Sequence, residues 1–397
     1  VSTLALTLAA VSGCSGPSAP SGLPCDAVVD VPAGADLAGA LAAAAPGTCV
    51  VAADAVFEGS FVVPEGVHLT SVDGARARLE GASPSAPTLR VEGGPSVVER
   101  LVVTGGDGGA LRVVGLGARL ASLELSADGT AVALGGPDTL GGPDTLGGPD
   151  TLTLGGPDTI TLEGVSVRGA RVGVHVHAAR VVVSGLSVTD VTSASLAGGV
   201  GLVVDAGSTL RLEGASIAGA DLGLLADGAG TRLLAEGLAV TGSAQRGVWL
   251  QGLAGSLAEP AAVLRGASLE DNAMVALGLT ASAGVLVEGS TLRASTLVPM
   301  VTSLGATELV GDGLGVFGGS TAVLVRATEL AASARAQALV DASGDVTLDD
   351  VTVSLGGPDT YGVVVQSSTQ ITVDAALLSS PAAALGVVAE LLALPTF

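Results

Sequence analysis

GLVVDAGSTLRLEGASIAGA, residues 201–220, is the stretch whose reading decides the fold. It opens on Gly201, alternates aliphatic residues through Val204, and turns at Ala206-Gly207-Ser208. Leu210-Arg211-Leu212-Glu213-Gly214 follows, and then a third short aliphatic run. Three alternating runs separated by Gly, Ser, Asp and Thr read as three short strands per unit. The same phrase returns as GVHVHAARVVVSGLSVTD at 173–190, GVFGGSTAVLVRATELAAS at 315–333 and GVVVQSSTQITVDAALLSS at 362–380. A unit of about twenty-one residues cannot bury its own apolar face, whereas stacked units bury a continuous column. About eleven coils, one every ~4.8 Å, predict a rod on the order of 50 Å long.

Aligning the coils exposes two columns at a bend. The first holds Glu99, Ala121, Glu163, Ser184, Glu213, Glu236, Arg265, Glu288, Arg326, Asp349 and Asp374. It is charged, so it is expected to face water. The next holds Arg100, Ser122, Gly164, Gly185, Gly214, Gly237, Gly266, Gly289, Ala327, Asp350 and Ala375. The run of glycines predicts a positive φ at that bend.

Composition supports a narrow aliphatic interior. Of 397 residues 60 are Gly, and only one Trp, one Tyr and four Phe are present, so Val, Leu and Ala must fill the core. A hydrophobic content of 48 % excludes a disordered chain. The net charge of −22, with every cation an Arg, excludes a nucleic-acid partner, which would need a cationic face.

The opening VSTLALTLAAVSGCSG is apolar up to small residues and too short to span a bilayer, as expected of a signal peptide over 1–13. Val11-Ser12-Gly13-Cys14 resembles the bacterial lipobox. That resemblance implies a lipidated Cys14, a membrane anchor and residence at the outer membrane or cell surface. Residues 14–27 read as a tether. Two thiols then remain, Cys25 and Cys49, and outside the cytoplasm such a pair is expected to form a disulfide contributing about 2–4 kcal/mol.

The block from Val31 to Gly74 reads as strand, helix, then first coils of a domain over 28–397. Asp36 is the expected N-cap of an Ala-rich helix over 37–45, stopped by Pro46-Gly47 and placed to plug the stack. Residues 382–397 are expected to cover the other end. The run APGTCVVAADAVFEGSFVVPEGVHLTSVDG at 45–74 resembles the opening of right-handed parallel β-helix proteins of the pectin-lyase-like superfamily, with Phe57 where a Tyr is usual. The resemblance covers about residues 28–380 and implies an all-β, right-handed parallel β-helix with a short N-terminal capping helix. It is weak for function, because such folds host lyases, hydrolases, epimerases and non-enzymatic surface proteins.

At 134–159 the hexamer LGGPDT repeats, and it returns at 355–360. A loop at a turn is favoured over an extra coil, since Pro in every hexamer interrupts strand pairing. Asp138, Asp144, Asp150 and Asp158 are carboxylates that could take Ca²⁺, but at low ligand density.

Enzymes resembling this family act on the outer face of one strand layer. Here Val174 and Val176 point inward, so His175 and His177 point out. Carried along the coils, one outward column reads Val203, Leu225, Trp249 and Phe317, and its neighbour reads His177, Asp205, Asp227 and Gln251. Trp249, Phe317, Leu225, Gln251 and His175 are the ligand-binding candidates. His177, Asp205 and Asp227 are the acid–base candidates, with Asp205 and Asp227 as Ca²⁺ ligands, the one cofactor considered. The competing reading is that loops at 191–199 and 252–260 cover the apolar column. Arg168, Arg171 and Arg180 flank the histidines, while Asp349-Asp350 reads as turn chemistry. Together these features suggest an envelope-anchored lipoprotein with a non-catalytic binding or structural surface, for polysaccharide or an envelope protein. The alternatives are a polysaccharide lyase or glycoside hydrolase on the face near His177, and an adhesin or protein-partner scaffold.

Overall fold

The computed structural model describes residues 25–135, 158–192, 198–293, 295–301, 307–355, 357, 360–373 and 385–386. The segment 1–24 with Cys14, the residues Asp138, Asp144, Asp150, Asp374 and Ala375, and most of 382–397 lie outside them. The described chain is a right-handed parallel β-helix. Each coil contributes one strand to each of three sheets, with 14, 14 and 12 strands among the described residues. Two rungs of the third sheet, Val56–Gly59 and Ala77–Gly81, precede the first coil of the sequence alignment. All ladder pairs are parallel except Val298–Val301 against the start of the long strand Thr307–Phe317.

The core is a stack of aliphatic ladders. Val174, Leu202, Leu224, Val248, Leu277 and Leu314 follow one another rung by rung, each fully buried. The bend between the first and third sheets repeats with equal regularity. From Arg100 to Asp350, all ten described positions of the bend column have φ between 47 and 65°. Glycine meets that demand without steric cost, and Ala327, Ser122 and Arg100 meet it at some cost. The left-handed turn also preserves pairing: Gly214 N–H donates to the Glu236 carbonyl at 2.9 Å, and Gly237 N–H to that of Arg265 at 2.9 Å.

The charged column runs down the solvent side of this bend. Arg265 reaches Glu236 at 3.8 Å and Glu288 at 3.1 Å, and Arg326 reaches Glu288 at 2.6 Å. Such exposed pairs contribute about 0–1 kcal/mol each. Glu99 departs from the expectation of exposure: Thr70 donates to it and Arg100 lies against it, so it is buried.

The N-terminal end is closed by the helix Leu37–Ala43. Asp36 caps it, accepting from Gly39 N–H at 2.8 Å, and Leu37 and Leu41 insert into the main core. The C-cap is Ala44, so the helix stops short of the expected residue 45. Cys25 and Cys49 are joined, with Cα atoms 5.7 Å apart, tying the start of strand Ala27–Val31 to its partner Thr48–Ala52. Strand Thr130–Gly135 pairs directly with Val172–His177, and Arg119–Ala121 with Ile160–Glu163. These pairings link the strands on either side of the hexapeptide insert, whose residues 136–157, with the expected loop, lie outside the described residues. Among the described residues, no helix is long and apolar enough to cross a membrane.

Candidate functional site

The strand Val172–His177 buries Val174 and Val176 completely, and this fixes His175 and His177 on the outer face of the second sheet. Its register against the next coil is His175 with Val203 and His177 with Asp205. One rung separates the histidines from that carboxylate, and both rings reach it. Asp205 Oδ2 lies 3.0 Å from His175 Nε2, and Oδ1 lies 2.7 Å from His177 Nδ1. The two imidazoles meet edge to face, centroids 5.6 Å apart. Side-chain exposures of 34 %, 54 % and 29 % for His175, His177 and Asp205 leave the cluster open to solvent. Three ligand atoms, one from each residue, all lie within 4.8 Å of one another. Asp227, the other acidic candidate, sits one rung further on, paired in register with Gln251.

The apolar candidates are arranged differently from expectation. Trp249 is only 1 % exposed, so it offers no face to a sugar ring. Nor does Phe317 continue its column. The register is Trp249 to Gly278 to Gly315, and Gln251 to Thr280 to Phe317. The sequence alignment was displaced by two residues at Phe317, because Gly315 occupies the position that an aliphatic residue fills in other coils. Phe317 leans across to Trp249, with ring centroids 6.3 Å apart and planes 24° from parallel. The two glycines make room for the two rings. A Cβ on Gly278 would lie 1.9 Å from Trp249 Cζ3, and one on Gly315 would lie 2.3 Å from the Phe317 ring.

Around these rings sit Val275, Ala336, Leu339 and Val364, with Leu222 and Leu225 half-buried at the margin. Of the two loops expected to cover the column, 252–260 contributes no residue to this cluster, and 193–197 of the other lie outside the described residues. Arg246 lies over the Trp249 ring, 4.8 Å from its centroid, and burial pushes its guanidinium down to about 10. The indole N–H donates to Gln251 at 3.3 Å, so Gln251, an exposed candidate, helps hold the ring.

Two further acids on this face were not singled out from sequence. Asp312, fully buried, forms a two-pronged pair with Arg335, with contacts of 2.9 and 2.5 Å. Burial pushes its carboxyl up and the Arg335 partner pulls the other way. Asp341 is likewise pushed up by burial, partly offset by a hydrogen bond from Gln366. The signal for both was their place in the outward columns of the second sheet, in register with Ala336 and Gln366.

Other candidates are engaged elsewhere. Arg171 reaches Asp107 at 2.9 Å and Arg168 lies 3.5 Å from Asp190, while Arg180 stands in the first sheet opposite Thr209. Asp349 lies in the charged column opposite Arg326, and Asp350 takes the left-handed bend.

Neither a protein-family model nor a curated protein matches the sequence. Solved structures do. The catalytic domain of a GH87 α-1,3-glucanase in complex with tetrasaccharides is 10 % identical with a TM-score of 0.50, over 94 % of this chain and 70 % of that one. The Dettilon tailspike protein is 11 % identical with a TM-score of 0.49, over 84 % of this chain. The present chain spans 63 % of the tailspike's length. The periplasmic alginate epimerase AlgG is 11 % identical with a TM-score of 0.42, over 87 % and 84 % of the two chains. At such identities the likeness bears on the fold alone.

Proposed function

We propose that this parallel β-helix is a polysaccharide-binding or structural surface protein of the cell envelope, exported and anchored through a lipid on Cys14. Its body presents the outer face of the second sheet, with His175, His177 and Asp205 as the exposed polar patch. The observation that carries this reading is the split of that face. The one Trp of the chain is folded into the protein and offers no face for sugar stacking, while the His–Asp patch stays open. The glucanase whose fold this chain shares was solved with tetrasaccharides, which supports a carbohydrate partner class. With a net charge of −22, an acidic polymer would need a bridging cation, whereas a neutral one would not.

A second reading is favoured by one distance. A 2.7 Å contact between His177 Nδ1 and Asp205 is the geometry of an oriented general acid or base, as a lyase or hydrolase would require. One experiment separates the two. The protein is incubated with neutral and acidic polysaccharides, with and without Ca²⁺, and both retention and products are followed by mass spectrometry. Retention without cleavage is the expected result, with acidic polymers retained only when Ca²⁺ is present. Defined oligosaccharides that vanish in His177→Ala would replace the binding reading with the enzymatic one. Neither retention nor products across the panel would end both and leave a protein partner.

A further inference from the structure

We infer that His175, His177 and Asp205 form a binding site for a divalent transition-metal ion of the Zn²⁺ or Ni²⁺ type. The chain contains only three histidines. His68 is engaged by the backbone, its Nδ1 accepting from Val97 N–H at 3.2 Å, and burial holds its pKa below the ordinary value. The other two converge on one carboxylate.

The convergence follows from strand geometry. Residues i and i+2 of a strand project from the same face, so a His-x-His pair places two imidazoles side by side. Parallel register then sets a residue of the next rung beside them, and here that residue is Asp205. Within the sheet, the preceding rung presents only Ala133 and Gly135 next to the histidines. A methyl group and a hydrogen leave the rings free to turn toward a shared ligand.

The dimensions suit a small ion. Ligands at about 2.0–2.1 Å from a tetrahedral metal stand roughly 3.4 Å apart. The observed His–Asp separations of 3.0 and 2.7 Å, with all three donor atoms inside 4.8 Å, bracket that spacing. Two imidazole nitrogens and one carboxylate select a borderline-soft metal. Ca²⁺ prefers six to eight oxygens, which this patch does not supply. Three protein ligands also leave a fourth position open to water or to an oxygen of a bound molecule. This differs from the Asp205 and Asp227 pairing expected for Ca²⁺, because the second acid is replaced by two nitrogen donors.

The inference does not depend on the carbohydrate reading, because the metal alone is the probe. The full chain carrying Cys14→Ser, which removes the proposed lipid site and any competing thiol there, is stripped with chelator and titrated with Zn²⁺ by calorimetry. Saturable binding of about one equivalent is expected, resisting a large excess of Ca²⁺. His175→Ala and His177→Ala should each weaken it at least about tenfold, with Asp205→Asn also weaker. Circular dichroism confirms that these surface variants stay folded. With Cu²⁺ as a spectroscopic probe, electron paramagnetic resonance should show coupling to two imidazole nitrogens in the parent and one in each single His variant. Absence of a saturable site, equal affinity in the His175→Ala/His177→Ala double variant, or displacement by Ca²⁺ would overturn the assignment.

Discussion

The outer face of the second sheet carries two surfaces built on one register. On its fifth and sixth strands, His175, His177 and Asp205 project from neighbouring rungs and remain open to solvent. Further along the same two columns, Trp249 and Phe317 project in the same direction and are buried. Direction along the strand is identical in the two regions, so an outward position is not thereby an exposed one. The neighbour in the column decides. After Trp249 the next two positions in its column are Gly278 and Gly315, and the Trp249 ring and that of Phe317, two residues beyond Gly315, lie down into the space those glycines leave. Beside His175 and His177 the next rung carries Val203 and Asp205, and the histidines stand up to meet the carboxylate instead.

The sharpest way to break this comparison is to remove the ring. Trp249→Ala deletes a large, almost fully buried side chain and removes a ring contact from Phe317 and from Arg246. Its expected cost is about 3–5 kcal/mol in denaturant unfolding. Asp205→Ala, made on the open half of the same face, should cost below about 1 kcal/mol. Similar losses in the two variants would show that the halves are not different surfaces after all.

A smaller effect tests the role of the glycines. Gly278→Ala places a methyl where the Trp249 ring lies, with Cζ3 and Cε3 at 1.9 and 2.2 Å from the new atom. Forcing the ring aside should cost about 1–3 kcal/mol. The cost should shrink when Trp249→Leu is made in the same chain, because the clash then has no second partner. That coupling is readable as a double-mutant cycle. Additive losses would mean that Gly278 is required for some reason other than the ring.

Much of this architecture was legible in the repeat. The period, the inward aliphatics and the bend glycines are local properties, so the φ > 0 column could be read residue by residue, including Ala327 and Asp350. The His177 and Asp205 neighbourhood was legible for the same reason: it needs only the correct register between adjacent coils. The place of Phe317 differs because its strand is preceded by the extra antiparallel strand Val298–Val301, and alignment by apolar character alone puts an aromatic residue into an aliphatic column. Burial of Trp249 could not be read from its strand, since it depends on residues contributed by later coils, among them Phe317, Ala336 and Val364. The buried Arg335–Asp312 pair is not legible in the sequence for a related reason: each residue looks like ordinary surface charge until the rungs are stacked.

The smallest expected effect concerns Asp341, which lies on the closed half of the face opposite Gln366. Burial raises its carboxyl above the ordinary value of 3.8. The folded protein therefore holds that proton more tightly than the unfolded chain does. The linked stability is fully present below the unfolded value and is lost as pH rises through the raised folded value. Asp341→Asn keeps the shape and removes the titration. Measured across the acid range toward neutrality, the variant should gain stability relative to the parent as pH rises, then run parallel once the parent carboxyl is ionised. Asp312 titrates in the same direction but is present in both proteins, so the difference between the two curves reports Asp341 alone. Curves parallel from the lowest pH upward would place Asp341 with the open half of the face rather than the closed one, and the boundary between the two surfaces would have to be drawn before it.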